Sequence, residues 1–226
     1  MSNKKNYFGE GIVFTISDYF IYFLMGSIYF WGLNIPLIIY LIISSITPSF
    51  NSKLFLFIAL IPIFPAGSAL LSVIGKLFRE KGVNITGDFF CSYKTNFSIS
   101  AKIGLLQVSL LAIFHLEKFY ISLNEGLLFF KYLIEIFILI CIMINFYLLS
   151  IISRFYVRFF DLYKLSIYYL IRKPHIGIVL MIMIYLLGIV AYKLSFILAL
   201  FFTSILGYVV MSMMNNILTI LEGRIK

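Results

Sequence analysis

The stretch GKLFREKGVNITGDFFCSYKTNFSISAKIG, Gly75 to Gly104, is the longest part of this 226-residue chain without a strongly apolar run, and apolar segments flank it on both sides. Read as a hydrophilic insert it would divide the chain; read as a connector held at a membrane surface, it makes the chain one membrane domain. Composition favours the second reading. Apolar residues make up 62% and charged residues 12%, with a mean hydropathy of +1.06, against about 45–50% and about 25% in soluble proteins. The apolar runs are continuous rather than alternating, and in lipid only a helix satisfies the backbone of such a run internally. The expected fold is an all-α integral membrane protein, residues 1–226 forming a single domain.

Six apolar segments can be drawn, at about 18–45, 53–75, 99–116, 127–150, 174–192 and 196–220. An even number puts both termini on one side. The segments on that side hold fourteen basic residues (Lys4, Lys5, Lys76, Arg79, Lys81, Lys94, Lys102, Arg154, Arg158, Lys164, Arg172, Lys173, Arg224, Lys226), and the opposite side holds four (Lys53, Lys118, Lys131, Lys193). Under the positive-inside rule both termini are cytoplasmic, with the basic segments at an anionic inner leaflet. The basic N-terminus has no short apolar region followed by a small-residue cleavage site, and reads as retained. The net charge of +9 is accounted for by this topology. No basic stripe with stacking aromatics stands outside the membrane-flanking segments, so no nucleic-acid partner is expected.

Three prolines punctuate the early spans. Pro36 removes a backbone donor inside the first, which predicts a kink with Asn34 helping to satisfy the freed groups. Pro62 and Pro65 do the same in the second. Ser68, Ser72 and Gly75 follow at i, i+4 and i+7, a small-residue stripe that lets helices approach closely in lipid.

Compared with itself, the chain matches at an offset of 73 residues. Asp88–Gly104 lies over Asp161–Gly177, with Asp over Asp, Phe90 over Tyr163, Lys102 over His175 and Ile-Gly over Ile-Gly. A unit of membrane helix, cytoplasmic amphipathic helix and membrane helix would then occur twice in parallel. In the first copy Thr86 is the expected cap, Asp88 lies in the first turn, and Phe89, Tyr93 and Phe97, with Phe90, line one face. In the second, Tyr156, Phe159, Phe160, Tyr163, Ile167 and Leu170 form the apolar face. Helices of this kind lie at the inner interface or dock a partner, with Lys76 and Arg79 beside them.

Residues with chemistry are sparse. Glu135 lies about two turns inside the fourth span, and Lys131 one turn earlier is the expected neutralising partner. His115 and His175 have no Cys, His or carboxylate partner at a ligand spacing, so neither a metal nor a cofactor is expected. Asn145 and the Asn215-Asn216 pair suit hydrogen bonds between helices. Cys91 and Cys141 read as free thiols. No P-loop, G-x-S-x-G or H-E-x-x-H is present, and an enzyme is not expected.

The order FLFIALIPIFPAGSALLSVIGKLFREKGVNITGDFFCSYKTNF, together with NIP in the first span and the Asp161 segment, resembles the YesL-like family of bacterial membrane proteins, a domain of unknown function. Members commonly show Gly-Pro-Ala where this chain has Phe64-Pro65-Ala66. The resemblance implies a multi-pass protein without established chemistry, often encoded beside sugar ABC importers. It therefore implies an accessory of carbohydrate import whose partners are importer permease subunits. The alternative is a small transporter in its own right, with Glu135 and the proline-broken spans lining a path.

Overall fold

A computed structural model describes residues 12–47, 52–80, 83–123, 128–193 and 196–225. Lys4, Lys5, Lys81 and Lys226, with the N-terminal segment before residue 12, lie outside the described residues. Among the described residues the regular structure is helical throughout: α1 (Ile12–Leu33), α2 (Ile35–Ile46), α3 (Lys53–Leu60), α4 (Ile63–Arg79), α5 (Ile85–Ser122), α6 (Leu128–Ile152), α7 (Phe159–Arg172), α8 (Pro174–Lys193) and α9 (Phe196–Ile225). Lengths and apolar composition give four membrane-crossing helices, Lys53–Arg79, Ile85–Ile121, Phe129–Ile152 and Phe202–Gly223, or six spans if each of two bent pairs counts as one.

The first bent pair is α1 and α2, which meet at 74°. Asn34 explains the break. Its backbone N–H turns to Trp31 O at 3.0 Å, which leaves Phe30 O without its usual acceptor role four residues on. The Asn34 side chain restores that bond, donating from Nδ2 to Phe30 O at 2.7 Å, and Pro36 opens α2 where a missing N–H costs least. The kink expected at Pro36 is therefore present, and Asn34, wholly buried, satisfies it. Pro62 separates α3 from α4 at a turn, whereas Pro65 falls in the first turn of α4 and adds no second break.

α4 is the hub of the bundle, touching α1, α5, α6 and α9. Its Ala66, Ala69, Leu70, Val73 and Ile74 are buried with Tyr147, Leu148 and Ile151 of α6 and Met214, Ile217 and Leu218 of α9. The small residues do what the stripe predicts. A Cβ on Gly75 would stand 2.5 Å from Met211 Cε of α9, and one on Gly207 would stand 2.8 Å from Ile74 Cδ1 of α4.

α5 corrects the sequence reading. The expected interfacial helix and third span are one uninterrupted helix of 38 residues, about 57 Å long and so longer than the ~30 Å hydrocarbon core. Its N-cap is Asn84, whose Oδ1 accepts from Gly87 N at 3.2 Å, and not Thr86. The Thr86 hydroxyl instead bonds Tyr29 Oη of α1 at 2.8 Å.

In the second copy the chain does turn: α7 and α8 meet at 90° at Lys173. The 73-residue offset is visible in the helix limits, since α4 ends at Arg79 and α6 at Ile152. It is visible too in two glycine contacts. A Cβ on Gly104 would lie 2.9 Å from Phe64 Cδ2, and one on Gly177 would run into Met143 Cε, each pressing on the preceding membrane helix.

Candidate functional site

Polar side chains gather at one end of the bundle, where α4 and α6 finish and α5 begins. Down the α4–α5 seam run three rungs: Ser100 Oγ donates to Ser68 Oγ at 3.0 Å, Ser92 Oγ donates to Ser72 Oγ at 3.0 Å, and Lys76 Nζ donates to both carboxylate oxygens of Asp88 at 2.9 Å. Lys76 also reaches Glu80 at 3.6 Å. On α4 the rungs rise every four residues, and on α5 Asp88, Ser92, Asn96 and Ser100 recur every four as well, so one stripe from each helix forms the seam. The basic residues expected to meet lipid or a partner are in part committed already. Lys76 is held by two carboxylates, while Arg79 stays exposed.

At the mouth of the seam lies a polar cleft of about 250 Å³, walled by Ser72, Arg79, Ser92, Asn96, Ser153 and Arg154 among others. It adjoins a second cleft of about 460 Å³, with Thr95, Asn96, Ile152, Phe155 and Tyr156 common to both and Lys102 and Arg158 lining only the second. Arg154 follows the last turn of α6, its side chain only 9% exposed, with Nη2 on the Glu222 carboxylate of α9. Its Nη1 is buried without a hydrogen-bond partner. Arg79 and Arg154 lie within electrostatic range of each other, with Glu80 and Glu222 also near Arg79.

The aromatic face is divided by the structure. Phe89, 1% exposed, is a core residue packed against the tilted ring of Tyr29 and not a docking residue. Tyr93 and Phe159 pack against the core, and Tyr163 accepts from Gln107 Nε2 at 3.3 Å. Phe90, Phe97, Tyr156 and Phe160 remain exposed, Tyr156 at 87% and Phe160 at 76%. Both copies thus turn some of their aromatic residues inward and leave others facing out.

At the opposite end Glu135 has a partner other than the one its sequence spacing suggests. Lys118 Nζ of α5 donates to Glu135 Oε1 at 2.7 Å, and Lys131 contributes only a weaker, longer-range attraction. The two residues sit on neighbouring antiparallel helices, so the sequence distance of 17 hid the pair. A crevice of about 560 Å³ beside them is walled by Phe114, Leu116, Glu117, Tyr120, Phe130, Leu133 and Phe137 among others, without Glu135. Cys91 is an exposed free thiol and Cys141 a half-buried one.

Arg154, Asn96, Ser92 and Lys118 are the site residues that sequence reasoning did not single out. The four-residue recurrence in α5 was an available signal for Asn96 and Ser92. For Arg154 none existed, because its partner Glu222 belongs to another helix. Comparison with curated proteins and with solved structures gives no match. Residues 13–117, which run from α1 to near the end of α5 and include the seam, match a family model described as a protein of unknown function, DUF624, consistent with the YesL-like resemblance.

Proposed function

We propose that this multi-pass membrane protein works without catalytic chemistry, as an accessory that presents its polar end to a partner subunit. The observation that carries the reading is the contrast between the two ends. Glu135 is closed onto Lys118 beside a crevice walled mainly by apolar residues, whereas Phe90, Phe97, Tyr156 and Phe160 stand exposed among Lys94, Arg158 and Lys164. Exposed aromatics with basic neighbours suit recognition of a protein or headgroup surface. The positive-inside count supports a cytoplasmic position for this end and for both termini, and the YesL-like resemblance supports a bacterial membrane. The carbohydrate importer as partner comes from the YesL-like resemblance alone. Purification from native membranes in mild detergent should recover importer permease subunits, and Phe160→Ser with Phe90→Ser should lose them. Recovery of the protein alone, with sugar uptake unchanged in a deletion strain, would overturn the reading.

A transporter is the second reading, favoured by one observation: the broken span at Asn34, whose Oδ1 is buried without a partner. Interrupted helices line substrate sites in such proteins. Reconstituted flux abolished by Asn34→Leu would support it, and the absence of flux from proteoliposomes would end it.

A further inference from the structure

The polar cleft has a feature that docking does not use. Arg154 is enclosed between α6 and α9, where a guanidinium needs every donor engaged, because a buried charge short of partners is costly. Glu222 takes one side of it and Nη1 is left over. Arg79 folds back along α4, its Nη1 3.4 Å from where a Gly75 Cβ would stand, so the absence of a side chain there leaves it room. Both arginines line the same cavity. Two like charges share a cleft of this size at lower free energy when an anion lies between them.

The other donors suit the same guest. Ser72 accepts from Ser92, which leaves its own hydrogen to give. Asn96, 8% exposed, lines both clefts. Glu222 offsets one positive charge, and Glu80, shared with Lys76 and within electrostatic range of Arg79, is not part of the cleft wall. Lys102 and Arg158 on the outer wall add two more positive charges and no carboxylate. A planar fork of two guanidiniums with hydroxyl and amide donors is the donor set that tetrahedral oxyanions select.

We propose that the cleft formed by Ser72, Arg79, Asn96 and Arg154 binds a phosphate group, carried either by an anionic phospholipid headgroup or by a soluble phosphoester. It lies where α4 and α6 end, at headgroup depth for a bundle crossing the membrane, so both sources can reach it. The cleft borders the docking surface at Tyr156 and Arg158, but the inference rests on its polar groups rather than on exposed rings.

Full-length protein in detergent or in neutral-lipid nanodiscs provides the test. Thermal unfolding is followed with inorganic phosphate, with glycerol phosphate, and with phosphatidylglycerol incorporated in the disc, each against chloride at equal ionic strength. Saturable stabilisation is expected from at least one, and which one responds identifies the source. Arg79→Gln, on an exposed residue that the fold does not need, should weaken that binding about tenfold or more. Glu222→Gln should tighten it severalfold by freeing Arg154, the reverse of what a merely structural pair would do. Stabilisation by none of the three, or binding indifferent to both Arg79→Gln and Glu222→Gln, overturns the proposal.

Discussion

At Gly104 and Gly177 a single hydrogen sets the spacing of two helix pairs. A methyl group at Gly104 would meet the Phe64 ring at 2.9 Å and the Ile61 carbonyl at 3.2 Å, and neither can withdraw without moving a helix. At Gly177 the obstacle is the terminal methyl of Met143, which has rotamers to spare. Gly104→Ala is therefore expected to cost about 1–3 kcal/mol as an overpacked contact, and Gly177→Ala distinctly less, read as loss of thermal stability in detergent. Equal effects would show that the two contacts are not the rigid and yielding pair described. Ser68→Ala, which removes one rung of the seam, should cost about 0.6 kcal/mol, the average for a hydrogen bond between membrane helices. Individual residues were legible in the sequence where their partners were local. Asn34 and Pro36 act within one turn, and the smallness of Ser68, Ser72 and Gly75 showed in their spacing, although the α5 hydroxyls that Ser68 and Ser72 meet did not. Lys118 with Glu135 and Arg154 with Glu222 were not legible, because helix packing rather than sequence spacing brings them together, and Phe89 was misread because an aromatic stripe looks the same whether it faces lipid or core.

The two copies of the repeated unit differ at the level of the element, and one position explains it. Ala101 of α5 and Pro174 at the α7–α8 turn are equivalent at the 73-residue offset. Alanine is the best helix former, and α5 continues through it; proline has no N–H and clashes with the carbonyl four residues before it, so α7 stops and α8 starts anew. At the turn itself the Lys173 carbonyl accepts from Tyr147 Oη of α6 at 2.6 Å and from Ile176 N at 3.3 Å. Ala101→Pro should then break α5 next to the Ser100–Ser68 rung, at a cost of about 3 kcal/mol or more. Helix content by circular dichroism and the melting temperature report it, and an unaltered melting temperature would contradict the continuity of α5. The apolar periods on either side of residue 98 predicted both halves of this helix. What they did not reveal was the join, since Ser92–Lys102 contains neither Gly nor Pro and so carries no stop signal.

For the whole molecule, the expectation of an all-α membrane protein holds, with six spans when the bent pairs are counted as single crossings. Its orientation can be measured through one atom. Cys91 is exposed at the polar end and Cys141 is half-buried within α6. If that end faces the cytoplasm, a membrane-impermeant maleimide should leave Cys91 unlabelled in intact cells and label it in inverted vesicles, with Cys91→Ser as the control. Labelling in intact cells would reverse the topology and place the phosphate-binding cleft outside.

The right angle between α7 and α8 also gives the protein a shape. With α8 upright, α7 lies flat in one leaflet, about 21 Å long and about 10 Å across, while α5, its counterpart, runs straight on past the surface. Lying so, α7 would occupy on the order of 200 Å² of lateral area in the leaflet that holds it. Lateral pressure in that monolayer would then act on α7, the helix that carries Phe159, Phe160 and Tyr163.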